Sequence, residues 1–254
     1  MTDRPARTVL VVDDDPDACR NLADILTDLG YQVDTAPDGP TALGLVRRKA
    51  YDVALLDYKM PGMTGLELYR EVRKLRAGTV AILVSAYTSS ETRAAAVAAG
   101  AWRVLAKPVD PARLLGLVDE AVGQPLVLVV DDDPDLCAAL WDLLRERGFR
   151  VALAHDAGQA AEQLRAGPVR VALIDLRLPD GDGSAVIRWS AGPARRAHTV
   201  VVTAHPRELG GLVQLALQNG ADAVCYKPFD IPELLATVGR LAADRPGGGA
   251  AGHE

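Results

Sequence analysis

Short β-branched runs alternate with longer amphipathic stretches along the whole chain. In the first half the runs fall at 8–12, 32–36, 52–56, 80–84 and 102–105. In the second half they fall at 126–130, 150–154, 169–174, 199–202 and 222–225. The central runs are solidly apolar rather than alternating, as in Val80-Ala81-Ile82-Leu83-Val84. That is the pattern of parallel strands covered on both faces. Between the first five runs the spacing predicts helices near 17–29, 39–49, 64–76, 89–99 and 111–121. Pro16 and Pro111 suit a first helical turn, and Thr64 with Glu67 forms a capping box. Gly30 and Gly100 stand where a left-handed C-cap is wanted.

The pattern repeats because the sequence does. VLVVDDDPDAC from Val9 returns as VLVVDDDPDLC from Val127, and LLDYKMPGMTG from Leu55 returns as LIDLRLPDGDG from Leu173. Asp13 and Asp131, Asp57 and Asp175, and Ser85 and Thr203 are each 118 residues apart, whereas Lys107 and Lys227 are 120 apart. A two-residue insertion therefore lies between Thr203 and Lys227. Solenoid periods run roughly 20–50 residues, so this is a duplicated domain. The expected division is a first domain at 1–122, a linker at 123–125, a second domain at 126–243, and a disordered Gly-rich tail at 244–254. Five β-α units with right-handed crossovers predict, in each half, an α/β doubly wound parallel sheet. It is flavodoxin-like, (βα)5, with strand order 2-1-3-4-5.

Composition narrows the chemistry. The net charge of −6 gives no reason to expect direct nucleic-acid binding, which needs clustered Lys and Arg. No apolar run approaches the roughly 20 residues that span a bilayer, and the N-terminus lacks a signal-peptide pattern, so no membrane association and a cytoplasmic location are expected. Cys19, Cys137 and Cys225 lack metal spacing and read as buried free thiols. His155, His198, His205 and His253 share no metal spacing and read as solvated surface, while Trp102, Trp141 and Trp189 read as packing residues.

In open parallel sheets ligand sites form beyond the carboxyl ends of the strands. Asp13 and Asp14 follow the first run, Asp57 the third, Ser85 the fourth and Lys107 the fifth. Asp131, Asp132, Asp175, Thr203 and Lys227 repeat the set. Crowded carboxylates need a cation at neutral pH, and an all-oxygen donor set without Cys or His suits Mg²⁺. The lysine adds one mobile positive charge and the hydroxyl one donor, which fits a phosphoryl group on the central Asp.

These residues carry a family resemblance. Asp-Asp after the first run, D-x-x-x-P-x-x-x-G from Asp57 and Asp175, Ser/Thr-Ala after the fourth run and Lys-Pro after the fifth recur in order in both halves. Each half resembles the receiver domain of two-component response regulators, over residues 7–122 and 125–242. The resemblance implies that Asp57 and Asp175 accept a phosphoryl group from a histidine kinase or a histidine phosphotransfer protein. It implies Mg²⁺ bound by Asp13, Asp14, Asp57 and the Lys59 backbone, and by Asp131, Asp132, Asp175 and the Arg177 backbone. Ser85 with Lys107, and Thr203 with Lys227, then bind the phosphoryl oxygens. Val104 and Val224 depart from the family where many members carry an aromatic, and Tyr87 and His205 stand where members tune hydrolytic water.

No output domain is recognisable after residue 243, so the reading is a tandem receiver that signals through a downstream protein or acts as a phosphate relay or sink. It modifies itself, with no separate substrate, and is not expected to be an enzyme. A homodimer or an intramolecular receiver pair is the expected association. The alternative makes only one receiver phosphorylated and the other a structural dimerisation or adaptor domain. A Mg²⁺-dependent phosphatase of similar topology would want a second acid just after the nucleophile, where Tyr58-Lys59 and Leu176-Arg177 offer none.

Overall fold

The computed structural model describes residues 7–86, 89–166, 168–179, 181–190, 197–204 and 210–244. Two compact units divide between Gln124 and Pro125. In the first, β1 (Thr8–Val12), β2 (Gln32–Ala36), β3 (Val53–Asp57), β4 (Val80–Ser85) and β5 (Arg103–Ala106) pair in parallel in the order β2-β1-β3-β4-β5. The crossovers are α1 (Pro16–Asp28), α2 (Gly39–Arg48), α3 (Gly65–Leu75), α4 (Ser90–Ala98) and α5 (Pro111–Gly123). In the second unit β6 (Leu126–Val130), β7 (Arg150–Ala154), β8 (Val169–Asp175), β11 (His198–Thr203) and β12 (Ala223–Tyr226) order as β12-β11-β8-β6-β7, the same topology read from the other edge. Its helices are α6 (Pro134–Glu146), α7 (Ala157–Ala166), α8 (Ser184–Ser190), α9 (Gly210–Gln218) and α10 (Ile231–Ala243). The expected fold class and strand order are both found.

The unbroken apolar runs have a simple cause. Leu10, Val12, Ala54, Leu56 and Leu83 point to one side, against Val46 of α2 and Leu68 and Val72 of α3. Val9, Val11, Val53, Leu55 and Ile82 point to the other, against Leu26 of α1 and Leu114 and Val118 of α5. Alternate residues of one strand thus feed two separate cores, and neither face has a place for a polar side chain.

Helix starts decide which aspartates remain free. Asp15 accepts from the backbone N–H of Asp17 and Ala18, and Asp133 from those of Asp135 and Leu136, so each caps the helix after it. The third Asp of each triplet is used in this way, which leaves the first two for the rim. Thr64 and Glu67 form the expected reciprocal capping box. Gly30 and Gly100 close their helices at φ of 87° and 88°.

Several boundaries shift. β3, β4, β8 and β11 run to Asp57, Ser85, Asp175 and Thr203, because the parallel ladder continues through these residues to pair with Val84, Ala106, Val202 and Tyr226. α5 extends to Gly123, two residues past the expected helix end. Arg177–Leu178 (β9) and Gly181–Asp182 (β10) add a small antiparallel hairpin that the run pattern does not predict. α9 lies 120 residues after α4 at both ends, so the insertion falls between Thr203 and Gly210. Tyr87, His205, His253 and the tail beyond Asp244 lie outside the described residues. Among the described residues no helix is long and apolar enough to cross a membrane. Leu128, in the middle of β6, is fully buried. Leu128→Ala is expected to cost about 2–5 kcal/mol in urea unfolding, the usual result of opening a core cavity.

Candidate functional site

In the first unit the carboxyl ends of β1, β3 and β5 converge on one ammonium group. Lys107 Nζ lies 2.7 Å from Asp13 Oδ2 and 2.6 Å from Asp57 Oδ1. The other oxygens are also engaged: Asp13 Oδ1 accepts the Asp15 N–H at 3.0 Å, and Asp57 Oδ2 accepts the Lys59 N–H at 2.8 Å. The lysine is placed by the sheet, since its own N–H donates to the Ser85 carbonyl at 2.8 Å, one step beyond β5. Both acid side chains are only 5% and 7% exposed. Burial alone would lower the lysine pKa, but hydrogen bonds to Asp13 and Asp57 outweigh it and hold the ammonium above its ordinary value.

The second unit rebuilds the arrangement. Lys227 Nζ lies 2.6 Å from both Asp131 Oδ2 and Asp175 Oδ2, Asp131 Oδ1 accepts the Asp133 N–H, and Asp175 Oδ1 accepts the Arg177 N–H. Here the lysine is 19% exposed, against 32% for Lys107. Burial lifts the Asp131 carboxyl above the ordinary Asp value, and the bond from Lys227 only partly offsets it. Asp131, Asp132 and Asp175 each offer an oxygen within 4.8 Å of the others, and among the described residues no other group of three or more acids, thiols or imidazoles meets that limit. Asp14 and Asp132 are exposed, whereas Ser85 and Thr203 are buried at the ends of their strands. The Lys107–Pro108 and Lys227–Pro228 peptides are both cis.

The glycine that closes D-x-x-x-P-x-x-x-G has a steric reason. Gly65 donates its N–H to the Tyr58 carbonyl, and a Cβ on it would lie 2.2 Å from the Asp57 carbonyl oxygen. Gly183 repeats this, with a Cβ 2.3 Å from the Asp175 carbonyl. Only a residue without Cβ lets α3 and α8 begin this close to the central Asp.

Two histidines differ from the expected solvated surface. His155 is half-buried at the end of β7, with Nδ1 3.1 Å from the Asp131 carbonyl. His198 is buried and pairs with Asp222 at 3.2 Å on the opposite rim. Both follow from position beside a strand end, which metal spacing does not test. Trp141 is a core residue, but Trp189 is half-exposed beneath Arg165, because its α8 position faces outward. The three cysteines are buried free thiols, and burial pushes Cys137 up to about 12.

A family model described as the response regulator receiver domain matches residues 9–119 and 127–239, one copy in each unit. The chain belongs to the response regulator receiver family. It is 38% identical over 242 residues to a response regulator receiver protein of Anaeromyxobacter sp. strain Fw109-5, covering 94% of this chain and 97% of that protein. It is 36% identical over 124 residues to the transcriptional regulatory protein GlrR of Escherichia coli K12, covering 49% of this chain and 28% of that regulator. A CheY-like receiver domain structure from Methanospirillum hungatei JF-1 matches at 34% identity and a TM-score of 0.45, over 46% of this chain and 94% of that one. The protein is thus a tandem of receiver domains, which are signalling modules.

Two consequences can be measured. Lys227, held above its ordinary pKa, contributes stability that is complete below about pH 10.4 and is lost as pH rises through the folded value. Lys227→Met leaves two buried acids without their cation and is expected to cost about 3 kcal/mol at pH 7. In urea unfolding that loss shrinks as pH falls and Asp131, its carboxyl lifted by burial, takes up a proton. Gly65→Ala is expected to cost about 2 kcal/mol from overpacking and to displace the backbone amide signals of Tyr58 and Lys59 in NMR spectra.

Proposed function

We propose that Asp57 and Asp175 are phosphoacceptors, each taking a phosphoryl group from phosphohistidine on a histidine kinase or phosphotransfer protein. The observation that carries this reading is the ammonium shared by the central Asp and a second buried acid at the strand ends, present in both receivers. An Asp already neutralised by a long, movable cation can exchange that cation for an incoming electrophile without leaving a buried charge uncompensated.

The donor set fits Mg²⁺: Asp13, Asp14, Asp57 and the Lys59 carbonyl in one receiver, and Asp131, Asp132, Asp175 and the Arg177 carbonyl in the other, all hard oxygens. When bound, the ion supplies positive charge to the transferring oxygens and offsets repulsion among the acids. The Asp57 oxygen attacks phosphorus in line as the phosphorus–nitrogen bond of phosphohistidine breaks and the imidazole nitrogen leaves. Positioning and charge stabilisation do most of this work. Lys107 then turns from Asp57 to the new phosphoryl oxygens, and Ser85 supplies a hydroxyl donor. Lys227 and Thr203 act likewise on Asp175. The added charge, about −1.5 to −2 by analogy with other phosphoryl groups, biases an existing two-state equilibrium that a downstream protein reads.

Full-length chain incubated with acetyl phosphate and Mg²⁺, then separated on phosphate-affinity gels, tests the reading. Two shifted species are expected from the wild type, one each from Asp57→Ala and Asp175→Ala, and none from the double variant. A shift surviving in the double variant contradicts the proposal. A shift abolished by one substitution alone assigns the other receiver to a structural dimerisation or adaptor role.

A further inference from the structure

One side chain with no part in the transfer chemistry sets the second receiver apart. His155 directly follows β7, so it stands on the same rim as the acids, with Nδ1 3.1 Å from the Asp131 carbonyl oxygen. A carbonyl can only accept, so Nδ1 carries the hydrogen in this contact. The Cys137 thiol donates to the same oxygen at 3.4 Å. The matching position in the first receiver is Pro37, which has no side-chain donor, and the Asp13 carbonyl takes the Cys19 thiol at 3.3 Å. A thiol is a weak donor, whereas an imidazole N–H is a full one.

That carbonyl belongs to the peptide joining Asp131 to Asp132. Holding it fixes the peptide plane and hence the direction in which the exposed Asp132 side chain leaves the backbone. The two buried acids of each receiver are gathered alike, on a lysine at 2.6–2.7 Å. The gathered triad nevertheless occurs, among the described residues, only at Asp131, Asp132 and Asp175, and Asp132 is the member of it that Lys227 does not hold. Mg²⁺ demands near-octahedral geometry, and ligands already gathered lose less freedom on binding.

We infer that His155 is a positioning residue that makes the second receiver the tighter divalent-cation site, so that it becomes competent at cation concentrations that leave the first receiver empty. This rests on the proposed Mg²⁺-dependent function and assigns an order to its two sites. The ordering of one side chain amounts to roughly a 3- to 10-fold difference in affinity.

The test is a Mg²⁺ titration of the full chain, read through the backbone amide NMR signals of Asp15 and Lys59 for the first receiver and Asp133 and Arg177 for the second. The second pair is expected to reach its midpoint at several-fold lower Mg²⁺. His155→Ala should move that midpoint toward the first pair's and leave the first unchanged. His155→Asn, whose amide nitrogen can occupy the place of Nδ1, should restore it. Equal midpoints in the wild type overturn the inference, as does His155→Ala leaving the second midpoint unmoved or His155→Asn failing to restore it. The wild-type ratio decides the claim even if His155→Ala does not fold. No response of either pair at millimolar Mg²⁺ refutes the cation site itself, a failure distinct from equal midpoints.

Discussion

A lysine ammonium shared between two buried carboxylates governs each half of this molecule. With order 2-1-3-4-5, the strand bearing the lysine stands three positions from the strand bearing the first acid, roughly 14 Å at the usual strand spacing. A long stem with a point charge at its tip bridges that span, and lysine provides both. The shared ammonium gives Asp13 and Asp57, or Asp131 and Asp175, a counter-charge inside a rim that otherwise resists charge. The backbone around the rim supports this contact. The ladder bond from lysine N–H to the strand-four carbonyl sets the stem's origin, and the turn amides of Asp15 and Lys59 fix the acids' second oxygens.

Much of this was legible in the residues. Unbroken apolar runs imply strands buried on both faces, and the two-sided cores of the first sheet show why that signal is strong. The acids, the hydroxyls and the lysines were legible because topology sends every strand's carboxyl end to the same rim. What the sequence left open was the division of labour within each Asp triplet, since any of three adjacent carboxylates can cap a helix. Only backbone geometry assigns that role to Asp15 and Asp133. The hairpin at Arg177–Leu178 and Gly181–Asp182 escaped notice because two-residue strands carry no periodicity. His155 escaped for a different reason: its partner is a main-chain carbonyl, which no side-chain motif encodes.

Duplication makes the differences between the halves informative. The same topology, caps and lysine bridges recur, so the shared parts mark what the fold must keep. The changes lie around that frame: Pro37 against His155, a lysine 32% exposed against one 19% exposed, and two extra residues between Thr203 and Gly210. His155 and the two lysines lie at the rim.

The central claim is that the lysine bridge is a resting state that yields when a phosphoryl group occupies the central Asp. ¹⁵N NMR of the lysine side-chain ammonium groups, on full-length chain with and without Mg²⁺ and beryllofluoride, observes that bridge directly. The account predicts that the Lys107 and Lys227 signals shift on addition of both, and that Asp57→Ala or Asp175→Ala abolishes the shift in its own receiver alone. Lysine signals left unchanged, while beryllofluoride is shown to be bound, would contradict it.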